Sequence, residues 1–339
     1  MSHLTDVPPG LLQQVLGPYL AHLRATGPHL RPALPPRLDP GKLESVRGSA
    51  LHEAIKGGDL EVIAHAYAPG DKELKAWLHA VTTAPGYGWL SDTGPGADHR
   101  YQVLEESADS VLITTPSIHD LPVLTDRMRT WLHRERRSVK RLLEAGESAP
   151  AVPGWGPVPD VSPAQCLLCA LLRRWLLRTD ARPEHEREWR GRVATARAEA
   201  FLERLGRAGA QVTIVINERT VRELSHIEEH TGQLGHLAHL AADTALELRC
   251  ARPSQPVLNC LNLLDLDGTV LAASWAAGAV LYEPALPGDL DYRTQRALSA
   301  QDTLRLVRRA ATGPLPEPRC PPAPARRTTR TSPTRGQLP

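Results

Sequence analysis

Lysine is scarce in this chain, neither sign of charge is in surplus, and no apolar run is long enough to cross a membrane. Lysine stands only at Lys42, Lys56, Lys72, Lys75 and Lys140; with arginine supplying the other cations and Ala and Pro abundant, this is the usage of a GC-rich, actinobacterial-type genome. Lys plus Arg number 40 against 38 Asp plus Glu, a formal charge of +2 over 339 residues. No global field therefore draws the protein to nucleic acid or to a membrane, and any basic surface is local. The longest apolar stretches, such as "LNLLDL" and "TVLAASWAAGAVLY", fall short of the ~20 residues a membrane helix needs, so a soluble protein without membrane partners is expected. The 5 cysteines are an odd number, and "MSHLTDVPPG" has neither the basic start nor the apolar core of a signal peptide; a reduced, cytoplasmic protein is expected. Glycine-spaced phosphate or dinucleotide loops and G-x-S-x-G are missing too, so no cofactor is implied.

Pattern and punctuation divide what is present. Residues 1–95 read as helical, with "PGLLQQVLGPYLAHLRA" amphipathic and "PHLRPALPPRLDP" an extended connector. "SALHEAIKGGDLEVIAHAYAPGDKELKAWLHAV" breaks at Gly57-Gly58 and at Pro69-Gly70 into short helices, with Asp59 and Asp71 placed to cap the restarts. Residues 96–312 alternate helix and strand: "VLITTP", "QVTIVI" and "ALELRCA" each follow a helical pattern, and "NLLDLDGTVLAASWAAGAVLYE" reads as two or three adjacent strands turning at Asp267-Gly268. Within this region, 117–196 is a helical insertion. "RTQRALSAQDTLRLVRRA" is expected to close the domain as one helix, with Leu298, Leu304 and Val307 inward. Residues 313–339 form a Pro/Arg-rich tail expected to be disordered. The fold class is thus α/β or α+β, an N-terminal helical domain followed by a mixed helix/strand domain with a helical insertion.

The histidine-rich stretch "SHIEEHTGQLGHLAH" carries His226, Glu229 and His230 in the order H-x-x-E-H of inverted zinc peptidases. Asn217, Thr220 and Glu223 provide capping signals, and Val221, Leu224 and Ile227 an apolar stripe, so 218–231 is expected as one helix ended by Gly232, with His226 and His230 one turn apart on its solvent face. A third ligand should be a distant Glu, yet beyond residue 230 only Glu247, Glu283 and Glu317 occur. That shortage favours a solvated face over a metal site. Cys166 and Cys169 form C-x-x-C among leucines with no second pair at metal spacing, which reads as core.

Two stretches resemble known families. "DLEVIAHAYAPGDKELKAWLHAV" resembles a helix-turn-helix: Ala64 takes the small position, Ala68 to Gly70 the turn, and Leu74, Trp77 and Leu78 the inward face. Lys72, Lys75 and His79 are then the expected DNA-binding residues, beside Glu73 and Ala76 on the outward face. "NCLNLLDLDGTVLAASW" resembles the end of a phospholipase-D-type domain, with Asp267 and Ser274 at the aspartate and serine positions. Cys260 stands where that family has its histidine and Asn262 where it has its lysine, so the resemblance implies the fold without the catalysis. Together they imply a cytoplasmic DNA-binding transcription regulator whose α/β domain senses a small-molecule effector or forms a homodimer. The alternatives are a metal-dependent hydrolase using His226, Glu229 and His230, and a non-catalytic interaction module of a biosynthetic or defence gene cluster.

Overall fold

The computed structural model describes residues 9–26, 57–67, 70–83, 90–92, 96–132, 134, 197–257, 260–276 and 279–315. The proline-rich connector, Ala68 and Pro69 of the expected turn, the Cys166/Cys169 pair, the insertion from 135 to 196 and the tail from 316 lie outside them.

Helices α1 (Pro9–Thr26), α2 (Gly57–Tyr67) and α3 (Lys72–Thr83) come first, then strand β1 (Leu90–Asp92) and helix α4 (Ala97–Ser107). β2 (Ser110–Thr115) leads to a short 3-10 turn, Ile118–Asp120. Helical segments at 126–132 and 197–205 flank the undescribed insertion. β3 (Gln211–Asn217), α5 (Glu218–Leu224), α6 (Glu228–Asp243) and β4 (Leu246–Ala251) follow, then β5 (Leu261–Leu266), β6 (Thr269–Ala276) and β7 (Ala279–Ala285), and last α7 (Pro287–Gln295) and α8 (Ala300–Thr312).

The fold is mixed α/β, a seven-stranded sheet of order β1-β7-β6-β5-β2-β3-β4. β2, β3 and β4 are parallel neighbours, and β5 joins β2 antiparallel, so a parallel half meets an antiparallel meander at the β2–β5 seam. Alternation along β2 explains its burial on both faces. Val111 and Ile113 pack with Ile214, Leu248, Leu264 and the main body of helices, while Leu112 packs on the other face with Val215, Leu263 and Val270. The β5–β6 hairpin turns at Asp267 (φ 55°) and Gly268 (φ 78°), two left-handed residues of the kind that Asp-Gly supplies at low cost. Asp265 accepts the Gly268 N–H there at 2.9 Å.

β1 carries no strand pattern in the sequence, yet it pairs antiparallel with β7, Ser91 opposite Leu281, and forms the sheet edge. Residues 90–92 therefore belong to the sheet although they precede residue 95. Val15, Leu16, Leu20, Ile63, Trp77 and Leu78 from α1–α3 share one buried cluster with that sheet.

Two expected helices are divided. The stretch 218–231 breaks at Ser225, whose hydroxyl donates to the Arg222 carbonyl at 2.7 Å and accepts Leu315 N–H at 3.1 Å, and helix resumes at Glu228 and runs through Gly232 to Asp243. Asn217 precedes the first piece, but its amide makes a two-way bridge with the Val257 backbone instead of a cap. The closing helix is likewise two. Ala297 bridges Ala251, Leu298 donates to the Cys250 carbonyl at 2.8 Å, and Ser299 caps α8 by accepting Asp302 N–H at 3.1 Å. Leu298 thus precedes α8, whose buried side is Thr303, Val307 and Ala310, with Leu304 only half-buried.

Candidate functional site

α3 has the two-sidedness its sequence predicts. Asp71 caps it, accepting Leu74 N–H at 2.9 Å, and Gly70 precedes it at φ 90°, a left-handed position that suits glycine. Leu74, Trp77 and Leu78 are buried, while Lys72, Glu73, Lys75, Ala76 and His79 are exposed. Trp77 is held at 5.2 Å by the Tyr19 ring edge and at 4.5 Å by the Arg100 guanidinium. Arg100 in turn grips Asp92 with two bonds of 2.8 and 2.7 Å in a fully buried ion pair.

The histidine-rich stretch is not laid out as one ligand face. His226 is exposed on the turn between α5 and α6, whereas His230 is 0% exposed and meets Trp131 edge-on at 4.8 Å. The correction to the solvent-face expectation is physical: once helix restarts at Glu228, positions 230, 233, 234, 237 and 238 form the buried stripe of α6, and His230 heads it. Gln233 on that stripe pins the 123–125 segment, donating to the Val123 carbonyl at 2.7 Å and accepting Thr125 N–H at 2.8 Å. Glu229 points to Arg134 at 3.5 Å. Among the described residues no group of three or more His, Cys, Asp or Glu side chains is arranged to hold a metal ion.

Cys260 and Asn262 do come together, on the head of β5 beside the carboxyl end of β2. With Ile113, Thr114, Thr115, Asp120 and Arg197 they line a cavity of about 170 Å³. Asp267 is at the far end of β5, and Ser274 pairs with Leu261 near the cavity end. The Cys260 thiol donates to Asp120 Oδ2 at 3.1 Å and touches Thr115 Oγ1 at 3.5 Å.

Beneath this wall runs a buried polar chain. Arg197 donates to both oxygens of Glu105 at 2.8 Å, Tyr101 donates to Glu105 at 3.1 Å, and the Asn262 amide donates to the Tyr101 oxygen. Tyr101 and Glu105 can share it because they lie one turn apart on α4. Burial, followed by the charge of Glu105, pushes the Tyr101 hydroxyl well above its ordinary range, so it stays a donor. Burial opposes the charge on Arg197, but Glu105 outweighs it and holds that guanidinium above its usual value. Two turns along the 197–205 helix, Arg204 donates to the carbonyls of Glu105, Ala108 and Asp109, satisfying the end of α4. Asp120, Arg197, Tyr101 and Glu105 carry no motif, and the Arg/Glu spacing around 197 reads in sequence as an ordinary helix surface.

Comparison with protein-family models, curated proteins and solved structures gives no match.

Proposed function

We propose that the protein is a cytoplasmic DNA-binding transcription regulator in which α2 and α3 form a helix-turn-helix and the sheet carries the effector site. The observation that supports this most is α3 itself, a capped helix whose Leu74, Trp77 and Leu78 are buried while Lys72, Lys75 and His79 face outward. Lysines at the start of such a helix reach phosphate, and the next outward turn reaches base edges. In the same reading the sheet is a degenerate phospholipase-D-like domain. Cys260 and Asn262 occupy the cavity wall, and a thiol beside an amide supplies neither the phosphoryl-accepting imidazole nor the phosphate-holding ammonium. DNA and a small-molecule effector are the proposed partners, with a homodimer as the assembly.

The test is a salt titration of binding to the DNA upstream of the protein's own gene. Lys72→Ala/Lys75→Ala should reduce the slope of log affinity against log salt by roughly 0.9 for each phosphate that the lysines no longer neutralise. A double variant that keeps the wild-type slope and affinity would place α3 away from the DNA.

A further inference from the structure

The C-terminal part of the chain is basic on a protein that is otherwise acidic. Residues 286–339 hold 10 arginines, no lysine and 4 acidic side chains, a formal +6, while the whole chain carries +2; residues 1–285 therefore carry −4. Among the described residues that charge gathers at the β4 edge of the sheet. α8 packs against β4 and α6, and its buried side is Thr303, Val307 and Ala310. Its outer side presents Gln301, Asp302, Arg305, Arg308, Arg309 and Thr312, all exposed. Arg305 neighbours both Arg308 and Arg309 on the helix surface, so the three stand within roughly 6 Å along its axis.

The fold does not neutralise them all. Asp302 is the only acid of α8, and it is engaged by Ser299 and Arg305, with Arg252 close enough to help hold its carboxyl below the ordinary range. Among the described residues the guanidinium groups of Arg308 and Arg309 make no ion pair or hydrogen bond. Arg252 is exposed just beyond β4, and the antiparallel bridge between Ala251 and Ala297 sets it across from Arg296, which lies over the Tyr292 ring at 3.7 Å. Like charges this close repel, and the helix dipole favours a cation only in the last turn, where Arg309 stands. A polyanion relieves that repulsion, and arginine forks match phosphate oxygens two at a time. A bilayer is the poorer partner, because the apolar side of α8 is already spent on β4 and α6 and the exposed side has nothing to insert.

We propose that the outer side of α8, with Arg252 and Arg296 at its start, is a second phosphate-binding surface that holds the backbone of a nucleic acid duplex without reading its sequence. It is separate from α3. α3 packs beside β1 and α8 beside β4, at opposite edges of the sheet, six strand spacings or roughly 29 Å apart at about 4.8 Å each. The inference goes beyond the helix-turn-helix reading and stands without it.

The experiment follows fluorescence anisotropy of a mixed-sequence duplex of about three turns, DNA in one arm and RNA in the other, with the full chain at about 50–200 mM salt. Wild type should bind with a Kd of roughly 1–100 µM, the range of backbone contacts that ignore sequence. On whichever duplex binds, Arg308→Gln/Arg309→Gln should lower the slope of log affinity against log salt by roughly 1.8, about 0.9 for each phosphate released. The same drop should appear in the Lys72→Ala/Lys75→Ala background, which separates this surface from α3. Arg308→Lys/Arg309→Lys keeps the charge and should keep the slope. Arg207→Gln, an exposed arginine ahead of β3, should also leave it unaltered. Circular dichroism verifies the folding of each variant. The proposal is overturned by wild-type protein that binds neither duplex at about 50 mM salt, including protein captured only by anionic phospholipid vesicles, by a full slope in Arg308→Gln/Arg309→Gln, or by an equal loss per charge in Arg207→Gln.

Discussion

Arg100 and Tyr101, consecutive residues of α4, tie two different parts of the protein to one helix. The Arg100 guanidinium lies 4.5 Å from the Trp77 ring of α3, while the Tyr101 hydroxyl joins Asn262 on the cavity wall to Glu105. Consecutive helical positions point about 100° apart, so one short helix touches both without either side chain crossing it. A shift of α4 at Tyr101 would thus be felt at the base of α3. The route is a contiguous physical contact; its energetic weight is what substitution has to measure.

Asp92 is the first place to measure it. The Arg100–Asp92 pair has side chains 4% and 0% exposed, so Asp92→Asn leaves a buried guanidinium without its counter-charge. The expected loss is about 3–5 kcal/mol in urea denaturation, the cost of breaking a buried pair from one side. A loss well under about 1 kcal/mol would mean that water reaches the pair.

Tyr101→Phe removes one hydroxyl and leaves two groups without it, the Asn262 amide and a Glu105 oxygen. The expected destabilisation is about 1–3 kcal/mol, the penalty for a buried polar group deprived of its partner. Because Asn262 is then released on the cavity wall, alkylation of Cys260 should change in the same variant, while Tyr19→Phe, remote from the cavity lining, should leave that rate unaltered.

His226 and His230 should behave oppositely. His226 is exposed, so His226→Ala is expected to stay within about ±0.5 kcal/mol. His230 is buried against Trp131, and His230→Ala should cost more than about 2 kcal/mol, in the range of large-to-small core changes. Equal, small effects in thermal denaturation would restore the picture of a single solvated face.

The same pair shows what could be read from the chain. Strands β2 and β3 were legible because β-branched runs such as Val212–Ile216 are buried on both faces, β4 because burial alternates along "LELRCA", and the β5–β6 turn because Asp-Gly suits φ above zero. The break at Ser225 was not. The stripe Val221–Leu224–Ile227 extends a helical pattern smoothly, and only a tertiary contact, Leu315 on the Ser225 hydroxyl, reveals where it stops. β1 was hidden for a similar reason, since three residues show no period and gain strand character from β7. Of the cavity, Cys260 and Asn262 stood out only through the resemblance of "NCLNLLDLDGTVLAASW" to the end of a phospholipase-D-type domain. Asp120 and Arg197 join them from stretches about 140 and 60 residues away along the chain, a distance no local pattern spans.

Acid should weaken the protein through two histidines. His99 is lowered by burial and by the nearby His22 and Arg100, with Glu106 acting the other way, and His236 is lowered by burial and by His239. The sign follows from proton counting. In the unfolded chain both imidazoles protonate near the ordinary value of about 6.5, whereas the folded protein takes up those protons only at lower pH. Across that window the unfolded state binds more protons, so stability contributed by the neutral rings is present above about pH 6.5 and is lost as pH falls toward the folded values. Melting followed by circular dichroism from about pH 7.5 to about pH 5 should therefore show a falling Tm, and His99→Gln/His236→Gln should make the fall shallower. Asp302 is also lowered, by its Ser299 and Arg305 contacts, but a depressed carboxylate stops contributing only below the ordinary value of about 3.9, outside this range. A double variant with the wild-type pH dependence would show that the folded protein binds protons at these two sites as readily as the unfolded chain.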